Sequence, residues 1–511
     1  MVIKVIFLLI FFGTMIAIGL YCRKHSTDVN GFVLGGRSVG PWLTAFAYGT
    51  SYFSAVVFVG YAGQFGWKYG LASTWIGIGN AVIGSLLAWV ILGRRTRIMS
   101  NHLSASTMPD YFGKRFNSKS LKIAASIISF VFLVPYTASV YNGLSRLFGM
   151  AFDIPYAACV IVMAVLTGVY VILGGYMATA INDFIQGIIM IFGIVAVIVS
   201  VLNGQGGFTQ AVFNLAQIPS EVSATAGQPG AYASFFGPDL PNLLGVVVLT
   251  SLGTWGLPQM VHKFYAIKDE KSIKSGTVIS TLFAMVIAGG CYFLGGFGRL
   301  FDSPAIYNAD GAIVYDSIIP TMLSGLSDAL IGIVIVLVLS ASMSTLSSLV
   351  LTSSSTLTLD FLKDNVIKKM DEKKQLLVMR IFIVFFILLS VILALDPPTF
   401  IAQLMGISWG ALAGAFLAPF LFGLYWKGVT KAAVWSSFAV GIGITVTNMI
   451  WGYIASPINA GAIAMVAGLI MVPLVSLFTP KMAKDDMDQI FACYDEEVSV
   501  KKKIALPAES K

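Results

Sequence analysis

Runs of about twenty apolar residues recur along this chain, and no other feature constrains its fold as strongly. They fall roughly at 3–22, 41–66, 72–93, 121–149, 154–173, 179–203, 242–260, 276–298, 322–354, 378–395, 398–426, 432–452 and 459–478. A bilayer core about 30 Å thick is crossed by about 20 residues of helix. In lipid, a helix satisfies every backbone polar group within the segment itself. Charged residues make up only 11% of the chain, against about 25% in soluble domains. The expectation is an all-α membrane protein with about thirteen transmembrane helices.

Other classes are disfavoured by what the chain carries. Four cysteines, Cys22, Cys159, Cys291 and Cys493, lie in or beside apolar runs or in the tail and suggest no disulfide framework. Three histidines, His25, His102 and His262, are scattered without ligand spacing, which argues against a metal enzyme. Nor do the runs hold the carboxylate clusters that a membrane-embedded enzyme needs. The net charge of +8 reads as cytoplasmic lysine and arginine rather than a nucleic-acid surface. The first run is followed by "LYCRKHS" with no small-residue cleavage motif, so it reads as a retained helix.

Charge also sets orientation. With the N-terminus outside, the outer connections hold Lys4, Lys68, Arg146 and Arg299, and the other 28 of 32 basic residues fall inside. The longest loop, 203–242, has no lysine or arginine, whereas "GRRTRIMSNH", "HKFYAIKDEKSIK" and "KDNVIKKMDEKK" all land on the cytoplasmic side. The positive-inside rule puts the N-terminus out and the C-terminus in, and the expected location is the plasma (inner) membrane, as a multi-pass protein. The tail 480–511 is charged and weakly apolar, and reads as solvated and partly disordered.

Two runs look broken. The second holds Gly49, Thr50 and Ser51 in mid-span, and the seventh holds Gly253, Gly256 and Pro258 within six residues. Proline lacks the amide that a helix needs. With the first run set aside, the broken helices open two successive sets of five, and the odd repeat length inverts the second set. Paired broken helices in inverted halves point to a secondary transporter with its site near the midplane. The divisions are 1–40 (extra helix and loop), 41–203 (first repeat), 204–241 (outer loop), 242–426 (second repeat), 427–479 (two further helices) and 480–511 (tail).

The stretch "VLSASMSTLSSLV" raises a different question, because six hydroxyl residues lie inside a lipid-length apolar run. Ser344, Thr345, Ser347 and Ser348 share one helical face. Small hydroxyl residues let membrane helices pack closely. They also supply neutral oxygen ligands from which a sodium ion can leave again. Asp183 reads as the one carboxylate at membrane depth. It is either functional at membrane depth or seated near a helix N-terminus.

The segments "FVLGGRSVGPWLTAFA", "MPDYFGKRF", "GGYMATAINDFIQGIIMI", "GLPQMVHKFYA", "SASMSTLSS" and "FGLYWKGVTKAA", in that order, resemble the sodium:solute symporters from about Ile6 to Lys481. The resemblance implies a leucine-transporter-type fold: ten core helices as inverted five-helix repeats, with the first and sixth core helices broken. It implies sodium between the first and eighth core helices, held by carbonyls of Thr50, Phe53 and Ala341 and hydroxyls of Ser344 and Thr345. Some such proteins place a second sodium at positions matching Asp183, Ser347 and Ser348. The implied cofactor list is empty apart from Na+ as coupling ion. The partners are a small-molecule substrate, sodium and the bilayer, with the chain working as a monomer and no nucleic acid bound.

The implied activity is symport of a small organic solute by alternating access, not an enzymatic reaction. Proton coupling through Asp183 and, less favoured, a channel are the alternatives. "YTAS" and "PDYF" resemble proline carriers. Against proline, Tyr52 stands where those carriers have an aspartate, and Thr250 and Thr254 replace their aromatics. Pantothenate carriers look closer, sharing the tyrosine, "GLP" and "GLYW". A small carboxylated solute is expected: pantothenate-like, a monocarboxylate or an amino acid such as proline. Tyr52, Ser54, Trp75, Tyr136, Asn142, Trp255, Gln259 and Trp409 are the candidates to line its cavity.

Overall fold

The computed structural model describes residues 2–23, 27–152, 154–367 and 370–494, so His25 lies outside the described residues. The fold is helical throughout. Among the described residues nine helices are long and apolar enough to cross a membrane, or ten if one bent pair counts as a single span. Two of the nine, Val56–His102 and Tyr156–Gly204, have 47 and 49 residues. A straight helix of that length would measure about 70 Å, more than twice the bilayer core. Each contains a glycine that leaves helical geometry: Gly70 at φ 59° and ψ −140°, and Gly175 at φ 54° and ψ −152°. Only glycine adopts such angles without strain.

The bent pair is Leu240–Gly256 and Pro258–Ala266, which meet at 45°. Leu257 between them is extended (φ −84°, ψ 122°), and Pro258 opens the second half at a position where no amide is needed. The other broken helix has the same design. Pro41–Tyr52 ends at Phe53 (φ −95°, ψ 111°), and helix resumes beyond Ser54 through Val56–Tyr61 and Ala62–Tyr69.

This first break lies one turn later than the cluster Gly49–Ser51 implied. Thr50 and Ser51 stay helical, and their hydroxyls donate to the carbonyls of Phe46 (2.8 Å) and Ala47 (2.5 Å) in the same helix. Gly49 is there for space. A Cβ on it would stand 2.4 Å from the Phe283 ring.

The hydroxyl-rich helix Asp328–Thr356 sits at the centre, packed against Tyr156–Gly204, Lys119–Phe152 and Pro41–Tyr52. Every residue from Leu337 to Thr356 is buried. The helix Glu372–Leu395 is the contrast. It presents Leu377, Ile381, Val384, Leu388 and Ile392 on an exposed apolar stripe suited to lipid. Lys431–Trp451 and Pro457–Phe478 pack on Ile401–Tyr425 at the periphery.

The tail departs from expectation. Lys484–Phe491 is helical and docks back on the body. Its Met487 Sδ lies 3.2 Å from Arg115 Nη1, its Phe491 ring lies under the Arg115 guanidinium, and Asp488 pairs with Lys427 at 2.7 Å. The apolar residues Met487 and Phe491, spaced i and i+4, form one buried face. Residues 495–511 lie outside the described residues.

Candidate functional site

The last turn of Pro41–Tyr52 lies against the middle of the hydroxyl helix. Ser344 Oγ is 3.0 Å from the Thr50 carbonyl and 3.0 Å from that of Ala341. Thr345 Oγ1 is 3.1 Å from the same two carbonyls. Four of the five expected sodium ligands therefore converge as two hydroxyls facing two carbonyls, all of them buried. The fifth, Phe53, is the extended residue of the break itself, with its N–H donating to the Gly49 carbonyl at 3.2 Å. A hydroxyl has one proton and two lone pairs. Each can donate to a carbonyl, as here, or turn its oxygen toward a cation.

The neighbouring serines have other partners. Ser342 Oγ accepts from the Ala55 N–H at 3.3 Å, satisfying an amide that the break leaves without a helical partner. Ser347 Oγ donates to the Ser344 carbonyl at 2.9 Å, within its own helix. Ser348, one turn beyond Ser344, bonds Ser51 Oγ at 2.7 Å.

Ser348 also accepts from Lys263 Nζ at 3.0 Å. Lys263 is a residue that sequence reasoning misplaced. The segment "HKFYAIKDEKSIK" reads as a cytoplasmic loop, yet Lys263 belongs to the half-helix Pro258–Ala266 and is 2% exposed. Its Nζ stands 3.9 Å from Asp183 Oδ2 and 5.2 Å from the centre of the Tyr176 ring. Asp183 is fully buried, and neither of its carboxylate oxygens has a hydrogen-bond partner among the described residues. Asp183 and Ser348 are thus brought together around an ammonium, while Ser347 is directed elsewhere. The signal available in sequence was "MVHKFYA" following a broken turn. A break at membrane depth places the next two turns inside the protein.

Asp183 is not the only buried acid. Asp110, Asp316 and Asp360 are also buried. Asp110 and Asp360 meet Lys122 at 2.9 and 3.5 Å. Asp316 Oδ2 accepts from the Ile401 N–H at 3.3 Å.

Of the candidate cavity residues, three meet. The Tyr52 and Trp409 rings are 5.4 Å apart, and those of Tyr136 and Trp409 are 5.8 Å apart. Trp409 approaches this closely because it packs on Gly253, where a Cβ would fall 2.7 Å from its ring. Tyr52 OH donates to the Thr250 carbonyl at 2.9 Å, tying one broken helix to the other. The Tyr136 hydroxyl, the Trp409 indole N–H and both ends of the Gln259 amide are buried without partners among the described residues.

The remaining candidates are engaged elsewhere. Ser54 Oγ accepts from the Val56 N–H at 3.1 Å. Trp255 Nε1 donates to the Ile83 carbonyl at 3.0 Å. Asn142 Oδ1 lies 3.4 Å from Arg146 Nε. Trp75 does not face this region. Its Nε1 donates to the Phe235 carbonyl at 2.9 Å, with the two rings edge to face, in the long loop's neighbourhood.

A family model described as the sodium:solute symporter family matches residues 32–441. The chain belongs to the sodium:solute symporter family. As such it is a carrier and not an enzyme, and it couples movement of a small solute to sodium. A curated relative, an osmoregulated proline transporter of Bacillus subtilis (strain 168), is 28% identical over 490 residues, covering 93% of this chain and 94% of its own. A sodium/proline symporter of Staphylococcus aureus (strain JH9) is 29% identical over 502 residues, covering 94% and 92%.

Among solved structures, a substrate-bound, outward-open Na+-coupled sialic acid symporter aligns with TM-score 0.75 at 15% identity, over 94% of this chain and 99% of that one. MhsT in complex with L-phenylalanine aligns at TM-score 0.53 and 15% identity, over 86% and 99%. These likenesses establish the leucine-transporter-type fold of the symporter.

Proposed function

We propose that the symporter carries one sodium ion between Thr50, Phe53 and Ala341 carbonyls and Ser344 and Thr345 hydroxyls, together with a small carboxylated solute. The convergence of the two hydroxyls on the two carbonyls carries this reading. All five oxygens are neutral, so the ion is held firmly enough to bind and loosely enough to leave. One flank of the site is a half-helix end and the other a packed central helix. Binding therefore draws the broken helix onto the hydroxyl helix, and release lets it move away, as alternating access requires. The reading keeps one sodium: Ser348 is already engaged by Lys263, and Ser347 by its own backbone.

For the solute, the start of Pro258–Ala266 offers a helix N-terminus at depth, which favours an anionic group. Gln259, with both ends of its amide unpartnered, stands there as a hydrogen-bonding residue. Tyr52, Tyr136 and Trp409 form an aromatic wall. A cavity of about 380 Å3 lies between the other halves of the two broken helices, lined by Phe65, Lys68 and Tyr69 on one and by Asn242 and Val246 on the other, and serves as the approach. Two relatives are named for proline, which joins pantothenate-like solutes and short monocarboxylates as the class to test.

The reading includes thirteen crossings, with the overlong helices each divided at their glycine and Val2–Cys22 added. It also includes a plasma-membrane location with the N-terminus out, and a monomer as the working unit. The test is uptake of a labelled panel of these solutes into liposomes, with sodium varied at fixed pH and voltage. Sodium-dependent uptake of one solute, weakened by Thr345→Ala and kept by Thr345→Ser, is the expected result. Uptake that follows a proton gradient and ignores sodium would overturn it.

A further inference from the structure

We propose that Lys263 is the resident cation of the Asp183–Ser348 pocket, so that a second positive charge in this symporter belongs to the protein and only one sodium is exchangeable. The proposal rests on the reading of Ser344 and Thr345 as sodium ligands and adds what the neighbouring pocket does.

A carboxylate buried at membrane depth requires a cation or a full set of hydrogen bonds. Asp183 has no hydrogen-bond partner among the described residues, so a proton or a nearby cation must neutralise it. An ion from solution could supply that charge, or a tethered ammonium could. Here the ammonium is in place. Lys263 Nζ is 3.9 Å from Asp183 Oδ2, and its nearest acceptor is Ser348 Oγ at 3.0 Å. The Tyr176 ring adds a third contact, of the kind that favours cations. The Ser348 oxygen that a second sodium would need is thus the one that accepts from the lysine. A sodium ion there would also lie within a few ångströms of a like charge, with one carboxylate between two cations.

The three residues stand on three elements. Asp183 is on Tyr156–Gly204, Ser348 on the hydroxyl helix, and Lys263 on the second broken helix. The first pocket joins the first broken helix to the hydroxyl helix through an ion that comes and goes. This pocket joins the second broken helix to the same hydroxyl helix through a charge that cannot leave. Lysine suits that role, since its compact ammonium sits on a flexible four-carbon stem.

Equilibrium binding of 22Na+ to the purified full-length protein in detergent counts ions without requiring turnover. The wild type should bind one ion. Lys263→Met, which removes the charge and keeps the stem, should bind two. Lys263→Arg should bind one, and Lys263→Met with Asp183→Asn should return to one. A count of two in the wild type overturns the proposal, even if no variant folds. So does a count of one in a folded Lys263→Met. Failure of the first-site reading looks different: Thr345→Ala would then bind the wild-type ion as tightly as Thr345 does, whatever the increment from Lys263→Met.

Discussion

One helical turn separates two pockets on the same helix, and they treat positive charge in opposite ways. Around Ser344 and Thr345 the oxygens are neutral and face one another at hydrogen-bond distance. Around Ser348 there is a carboxylate, and a lysine faces it. The contrast shows how an ion site can be made releasable. Two unit charges about 4 Å apart attract by about 4 kcal/mol at an effective dielectric near 20. That strength suits a permanent link and hinders release at every cycle. Carbonyl and hydroxyl dipoles attract a cation less, and when the ion departs they are left able to bond each other.

The comparison is broken most severely by Asp183→Asn, which strands a buried ammonium. Removing one partner of a buried pair costs about 3–5 kcal/mol. The loss should appear in thermal or detergent-challenge unfolding, and adding Lys263→Met should recover most of it. If the two single losses simply add, the residues are not a pair. Ser348→Ala should cost less, about 1–3 kcal/mol, because it removes the hydrogen-bond acceptor of the ammonium and leaves the charge pair. Its signature is lower stability with little change in sodium affinity.

At the first pocket, Thr345→Ala should raise the sodium concentration for half-maximal uptake about tenfold, corresponding to about 1.4 kcal/mol. Thr345→Ser should stay near wild type. Equal behaviour of alanine and serine would leave packing as the only role of that hydroxyl. Ser347→Ala should be the mildest, within about 0.5 kcal/mol in stability, since its hydroxyl donates within its own helix. A large sodium effect from Ser347→Ala would merge the two pockets into one.

Much of this arrangement is legible in the sequence. Apolar runs gave the helices, because lipid leaves a chain few other options. Gly256 and Pro258 gave the second break, since a missing amide is visible in sequence. The first break lies a turn later: Thr50 and Ser51 bond back onto their own helix, Phe53 ends it, and Gly49 makes room for Phe283, none of which local composition reveals. The hydroxyl face was readable from spacing alone. Lys263 was not, because the positive-inside rule assigns a lysine near a span end to the cytoplasm and cannot see a partner eighty residues upstream. The tail helix was missed for a similar reason: its two apolar residues, Met487 and Phe491, acquire meaning only from Arg115 opposite them.

The central claim, one exchangeable sodium beside one fixed cation, is tested most directly on the unmodified protein. In liposomes held at zero membrane potential, the opposing substrate gradient that just halts net flux against a tenfold sodium gradient gives the coupling ratio. One sodium per solute predicts balance at about a tenfold substrate gradient. Balance near a hundredfold would mean that two sodium ions move with each solute, and would contradict the account.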